Sequence, residues 1–316
     1  MKSTNVTKKI VAVVIPCYKV QDQIIGVLNS IGNEVDHIIV VDDCCPDNSA
    51  DLVEKKFLDE RLILIRMEKN SGVGGAVIQG YKKAIEMKVD VIVKLDGDGQ
   101  MDPGRIADLI DPIVKDKADY TKGNRFFSID AIHRMPKSRV FGNLGLSFLT
   151  KLSSGYWNVF DPTNGYTAIS GKLLQELNLS KIDNGYFFES DMLFRLNLLN
   201  ARVCDISMPA IYENEKSNLQ IKRVLLEFPM KHLRNLVKRL IYTYYLRDFS
   251  IASIELPLGI LVGGFGILLG FTSWLKSFST GIPTQTGTAV LVAMSILAGL
   301  QFLLAFLAYD TNSRNK

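Results

Sequence analysis

The chain has 316 residues, enough for one large domain or two smaller ones, and at 47% apolar and 22% charged it can build a packed core, which excludes wholesale disorder. A net charge of +4, from 37 basic and 33 acidic residues, argues against a dedicated nucleic-acid binder. Four cysteines (Cys17, Cys44, Cys45, Cys204) without CxxC spacing or a histidine partner give no zinc site and no disulfide framework, and read as reduced thiols of a cytosolic compartment.

Strand and helix signals alternate through the first 125 residues. Ile10–Ile15 is a short β-branched run ended by Pro16, too short for a leader or a span. Helical spacing over Gln21–Ile31 precedes the strand His37–Val41, which ends on Asp42 and Asp43. A helix from Asn48 to Leu58 leads to the strand Leu62–Ile65, then a helix over Gly74–Met87 to the strand Asp90–Leu95. That strand runs into Asp96-Gly97-Asp98-Gly99-Gln100, and Pro103 suits the first turn of a helix reaching Val114. Strands apolar throughout, separated by helices, predict a parallel sheet covered on both faces, so the fold class is α/β. Ligands of such sheets bind at the carboxyl ends of the strands, beside a topological switch point.

From Phe126 to Tyr186 the pattern loosens, and Phe187–Leu199 regains helical spacing before a last strand at Val203–Pro209. Lys222–Arg247 carries seven Lys/Arg and His232 against one acid, Glu227, and reads as amphipathic helix at an anionic membrane surface. Residues 256–275 and 289–309 carry no charge, and 20 residues make about 30 Å of helix, the thickness of the hydrocarbon layer. Basic residues before the first span, with Arg314 and Lys316 after the second, put both flanks on the cytosolic side. The expected organisation is a cytosolic head over 1–221, juxtamembrane helices over 222–250 and a two-helix membrane hairpin over 251–316.

Asp96 and Asp98, two carboxylates at i and i+2 beyond a buried strand, can point to one side, and with Gln100 they offer oxygen ligands suited to Mg²⁺ or Mn²⁺. Asp42 and Asp43 at a strand end can accept hydrogen bonds from a ribose or a base edge. Asn70–Gly75, between strand and helix, stands where backbone amides, with Gly72 and Gly74, can cradle phosphate; a plain helix start is the alternative. The loop matches neither G-x-G-x-x-G nor a P-loop, which sets aside NAD(P) oxidoreductase and NTPase readings. Glu189 and Asp191 either line an acceptor site or favour the start of a helix.

Val13–Tyr18, Val41-Asp42-Asp43, Asn70–Ala76, Asp96–Gln100 with Asp102-Pro103, and Gly123-Asn124-Arg125 occur in that order. Together they resemble the inverting GT-A glycosyltransferases, closely the polyprenyl-phosphate sugar synthases, over residues 10–215. The resemblance implies a GT-A, mostly parallel sheet and transfer of a hexose from a nucleotide sugar (GDP-mannose or UDP-glucose type) to a polyprenyl phosphate, with Mg²⁺ or Mn²⁺. It implies that Pro16, Tyr18, Asp42 and Asp43 line the nucleotide pocket and that Asp96, Asp98 and Gln100 hold metal and diphosphate, Asp98 most directly. It places Arg125 and Arg139 on the acceptor phosphate, in or beside a loop over 126–139 with His133 and Arg134, and Asp161 of Asp161–Tyr166 at the sugar-facing floor. Two departures stand out: Tyr18-Lys19 where the family often has Asn or Glu, and Glu213–Ser217 in place of Arg-x-x-Gly-x-Ser-Lys, where Lys216 can take over the arginine's diphosphate contact. A polysaccharide-extending transferase and a silent membrane assembly partner are the competing readings, and a homo-oligomer is left open.

Overall fold

The architecture is that of a computed structural model, which describes residues 8–126, 137–208 and 221–312. Its elements are β1 (Val11–Cys17), α1 (Ile24–Asn29), β2 (His37–Asp42), α2 (Ser49–Lys56), β3 (Leu62–Arg66), α3 (Gly72–Glu86), β4 (Val91–Lys94), α4 (Ile106–Val114), β5 (Tyr120–Asn124), α5 (Lys137–Ser154), β6 (Thr167–Ser170), α6 (Gly171–Glu176), α7 (Phe188–Leu198), β7 (Val203–Ser207), α8 (Ile221–Ile241), α9 (Ala252–Thr280) and α10 (Thr286–Asn312). The chain divides into two compact units, 1–235 and 236–316.

In the first unit seven strands form one sheet in the order β3-β2-β1-β4-β6-β5-β7. All pair in parallel except β6, which runs antiparallel to both β4 and β5. The sheet is therefore mostly, not wholly, parallel. β6 escaped the sequence pattern because four residues, Thr-Ala-Ile-Ser, carry no apolar run, and β5 because Tyr-Thr-Lys-Gly-Asn sets a lysine at its centre. Pleating sends alternate residues of β1 to opposite cores. Ala12 and Val14 pack with α3, α6 and α7, while Val11, Val13 and Ile15 pack with α1, α2 and α4. Because β1 leads to β2 on one side and neighbours β4 on the other, the carboxyl ends of β1 and β4 lie side by side at the switch point.

α5 also went unseen in the sequence. Its glycines, serines and threonines dilute the apolar repeat, and it includes Lys137 and Arg139, which the sequence places at the end of a basic loop. In the first unit α8 turns Phe228, His232 and Asn235 inward, at i, i+4 and i+7, while Met230 and Leu233 are exposed. His232 Nδ1 lies 2.8 Å from Ser153 Oγ of α5, Lys231 Nζ 2.6 Å from Asp183 Oδ2, and Asn235 Nδ2 2.9 Å from Asp191 Oδ1.

In the second unit α9 and α10, of 29 and 27 residues, are each long and apolar enough to cross a membrane. Both run past the expected 256–275 and 289–309. They pack as an antiparallel hairpin on a glycine stripe: Gly259 against Leu303, Gly263 against Gly299 and Gly266 against Ile296. Small residues let helix backbones approach where no hydrophobic drive separates helix from lipid. Arg239 and Asp310 form a buried two-point ion pair, Nη1–Oδ1 2.6 Å and Nη2–Oδ2 3.0 Å, joined by the Tyr244 hydroxyl. Within this unit the end of α10 is thus fastened beside the end of α8, so the hairpin returns to the side it left.

Candidate active site

The acidic turn follows directly from β4. Val14 pairs with Lys94, so Asp96–Gln100 emerges beside Pro16, Cys17 and Tyr18 at the end of β1. Gly99 sits at φ +78°, a conformation that favours glycine, and turns the chain back so that Gln100 N donates to Asp98 Oδ1 at 3.1 Å. Asp98 is half-buried and Gln100 exposed. The turn is anchored from below: Asp102 Oδ1 caps the following 3-10 turn through Gly104 N at 2.9 Å, and Tyr166 Oη donates to Asp102 O at 2.8 Å. A half-buried carboxylate with a neutral amide oxygen at a strand end fits a hard divalent ion that keeps water and substrate phosphate among its ligands. Among the described residues no three His, Cys, Asp or Glu gather into a self-sufficient metal cage.

Asp96 is held differently. The ammonium of Lys94, 1% exposed, lies 2.9 Å from Asp96 Oδ1 and donates to Glu189 Oε1 at 3.1 Å. The first contact is an ion pair off the hydrogen-bond line; the second is a hydrogen bond. Burial works to lower the Lys94 pKa, but Asp96 and Glu189 outweigh it and raise it.

Asp42 and Asp43 end β2 and are both buried. Asp42 Oδ1 accepts from Cys45 N at 3.0 Å, closing the turn that brings Cys45 Sγ to Lys19 N at 2.8 Å. Tyr18, 42% exposed, stands on this rim with Lys19 Nζ 5.3 Å from its ring centre. Asp43 accepts from Ser71 N at 2.7 Å and Gly72 N at 2.9 Å. Burial pushes its carboxyl up despite those two bonds.

At the start of Asn70–Gly75 the amides are therefore engaged as in a plain helix start. Two amides opening α3 are taken by a carboxylate of the protein itself, which favours the helix dipole as a phosphate would. Gly72 and Gly74 answer to packing. A Cβ on Gly74 would lie 2.5 Å from Asp183 O and one on Gly72 2.8 Å from Asn184 O, and Gly75 N donates to Asn184 O at 3.1 Å. Two backbones lie in contact there. Asp191 likewise is structural, accepting from Asp183 N, Arg195 and Asn235, whereas Glu189 turns to Lys94.

Arg125 and Asp161 meet each other. Arg125 Nε lies 2.7 Å from Asp161 Oδ2 and Nη2 3.0 Å from Oδ1; Asp161 is fully buried and Arg125 is 23% exposed. The guanidinium's fork is spent in part on a carboxylate under the site. Nearby Lys122, fully buried, donates to Asn164 O, and burial pushes its ammonium down to about 8. Arg139 lies in α5, its side chain outside the described residues, as are His133, Arg134 and Lys216. The sequence reading missed Lys94 and Lys122. The available signal was a lysine inside each of two otherwise buried strands.

The glycosyl transferase family 2 profile matches residues 12–177. The UDP-N-acetylglucosamine–dolichyl-phosphate N-acetylglucosaminyltransferase of Methanococcus voltae is 37% identical over 184 residues, covering 54% of this chain and 73% of that protein. The dolichol-phosphate mannosyltransferase of Pyrococcus furiosus is 26% identical over 293 residues, covering 91% of this chain and 78% of that one. Among solved structures, glucosyl-3-phosphoglycerate synthase of Mycobacterium tuberculosis with Mg²⁺ and UDP superimposes at TM-score 0.55 and 19% identity over 73% of this chain and 79% of that one, a likeness of fold. With the acidic turn at the switch point and a profile match over more than half its length, the chain belongs to glycosyl transferase family 2 and is a glycosyltransferase.

Proposed function

We propose that this glycosyltransferase moves a hexosyl group, with inversion, from a nucleoside-diphosphate sugar of GDP-mannose or UDP-glucose type to a polyprenyl phosphate at the cytosolic face of the cell membrane. The observation that carries this reading is the pairing, in one chain, of an oxygen-rich turn at the β1/β4 switch point with two apolar helices of membrane length. Relatives named for transfer to dolichyl or undecaprenyl phosphate support it.

Asp98, with Gln100, would hold Mg²⁺ or Mn²⁺, an ion that commonly takes substrate phosphate among its ligands. When bound, the ion neutralises charge gathering on the departing nucleoside diphosphate. Asp42 and Asp43 fix the floor under the nucleoside through the Cys45 turn and the α3 start, and Tyr18 offers the rim. The acceptor phosphate is anionic near neutral pH and attacks without a strong general base, so orientation is the protein's larger task. Arg125, aimed by Asp161, and Arg139 of α5 supply cations to the lipid phosphate; Lys216 serves the diphosphate. Arginine suits the acceptor because its planar fork grips phosphate at two points and stays charged.

The test is transfer by the purified full chain in lipid, supplied with a polyprenyl phosphate, Mn²⁺ and a panel of nucleotide sugars, scored as extractable lipid-linked sugar. Asp98→Asn lowers turnover by about 10²-fold or more at unchanged thermal stability. No transfer from any donor, or full turnover by Asp98→Asn, refutes the assignment.

A further inference from the structure

Lys94 is a buried cation to which the proposed grip on nucleotide and lipid assigns no part. Lys94 joins three elements: it ends β4, it donates to Glu189 in the first turn of α7, and it lies under Gly165 of the Asp161–Tyr166 segment. A side chain at Gly165 would run into Lys94 Nζ and sit 2.8 Å from Asp96 Oδ2, so that backbone passes directly over the cluster. Two carboxylates share the Lys94 ammonium, with the buried Lys122 ammonium also acting on Glu189, and the Glu189 carboxylate keeps unspent acceptor capacity. Glu189 uses one oxygen on Lys94; the other makes no hydrogen bond among the described residues. The side chains of Glu189 and Asp96 are 12% and 27% exposed, two residues along the chain from Asp98 in the case of Asp96. An acceptor oxygen so placed suits a neutral polyol, whose hydroxyls donate. An ammonium already bound to Asp96 also opposes a second cation on that carboxylate.

We propose that Glu189 is a specificity-determining residue that accepts a hydrogen bond from a hydroxyl of the transferred sugar, and that Lys94 is the positioning residue that aims it and reserves Asp96 from the divalent ion. This rests on the hexosyl-transfer reading and adds which group reads the sugar.

The experiment compares, by calorimetry on the full chain with Mn²⁺, the binding of UDP-glucose, UDP-N-acetylglucosamine and GDP-mannose with that of UDP and GDP. Glu189→Gln weakens the preferred nucleotide sugar by about 10-fold or more, the scale of one hydrogen bond to a charged group, and leaves the matching diphosphate within about twofold. Lys94→Met causes the same selective loss, and Mn²⁺ paramagnetic resonance without nucleotide shows tighter Mn²⁺ binding, which Asp96→Asn added to it reverses. Equal losses for sugar and diphosphate in Glu189→Gln, or no loss for either, overturn the Glu189 role. Unchanged Mn²⁺ binding in Lys94→Met overturns the reservation of Asp96. Should Lys94→Met fail to fold, Glu189→Gln decides alone, its side chain being partly exposed. A wild-type chain that binds none of the nucleotide sugars refutes the transferase reading itself, a result distinct from a binding wild type matched by Glu189→Gln.

Discussion

Replacing Arg125 by methionine removes both guanidinium bonds from a carboxylate that has no exposure to water. The hydrogen bonds that remain to Asp161 are those from the Arg125 amide at 3.3 Å and the Thr163 hydroxyl at 3.3 Å, both neutral and long, with the buried Lys122 ammonium as a further counter-charge. Breaking a buried pair by deleting one partner costs about 3–5 kcal/mol, and partial exposure of Arg125 puts this case near 3. For a domain of this size that amounts to roughly 6–12 °C in thermal midpoint. Asp161→Asn costs less, about 1–2 kcal/mol, because the amide keeps the shape and the freed guanidinium can turn to water. The double variant Arg125→Met with Asp161→Asn recovers a large part of the Arg125→Met loss, since no unpaired charge stays buried. The assay is the thermal midpoint of the full chain in detergent, read for both single variants and the double. Should Arg125→Met leave the midpoint unchanged while transfer to lipid phosphate falls, the guanidinium is spent on the acceptor and the Asp161 pairing is not what holds it.

Gly74→Ala forces a methyl against Asp183 O and Asn184, both backbone, and destabilises by about 1–3 kcal/mol, read as a lower midpoint without nucleotide. Burial holds His232 down to about 4, below an unfolded value of about 6.5. Its contribution is therefore intact above pH 6.5 and lost as pH falls toward 4, about 2 kcal/mol by pH 5, and His232→Leu flattens the pH 7-to-5 slope of the midpoint by that amount.

Sequence alone determined the elements whose signal is local. β1, β2 and β4 are built on short apolar runs, α9 and α10 have the length and apolarity of spans, and Asp96–Gln100 stands at a strand end because the apolar run stops where the carboxylates begin. Motif order likewise identified the glycosyltransferase before any contact was known. Tertiary structure decided what depends on partners far apart in the chain. Lys94 and Glu189 are 95 residues apart, Arg125 and Asp161 36, and Asp43 meets the start of α3 across 28 and 29 residues. No periodicity records such pairs, so the close backbone contact that the glycines in the first turn of α3 make with Asp183 and Asn184 could not be read from the sequence. Burial makes each pair consequential: an ionised group withdrawn from water must find its counter-charge inside, and the fold alone settles which one is within reach.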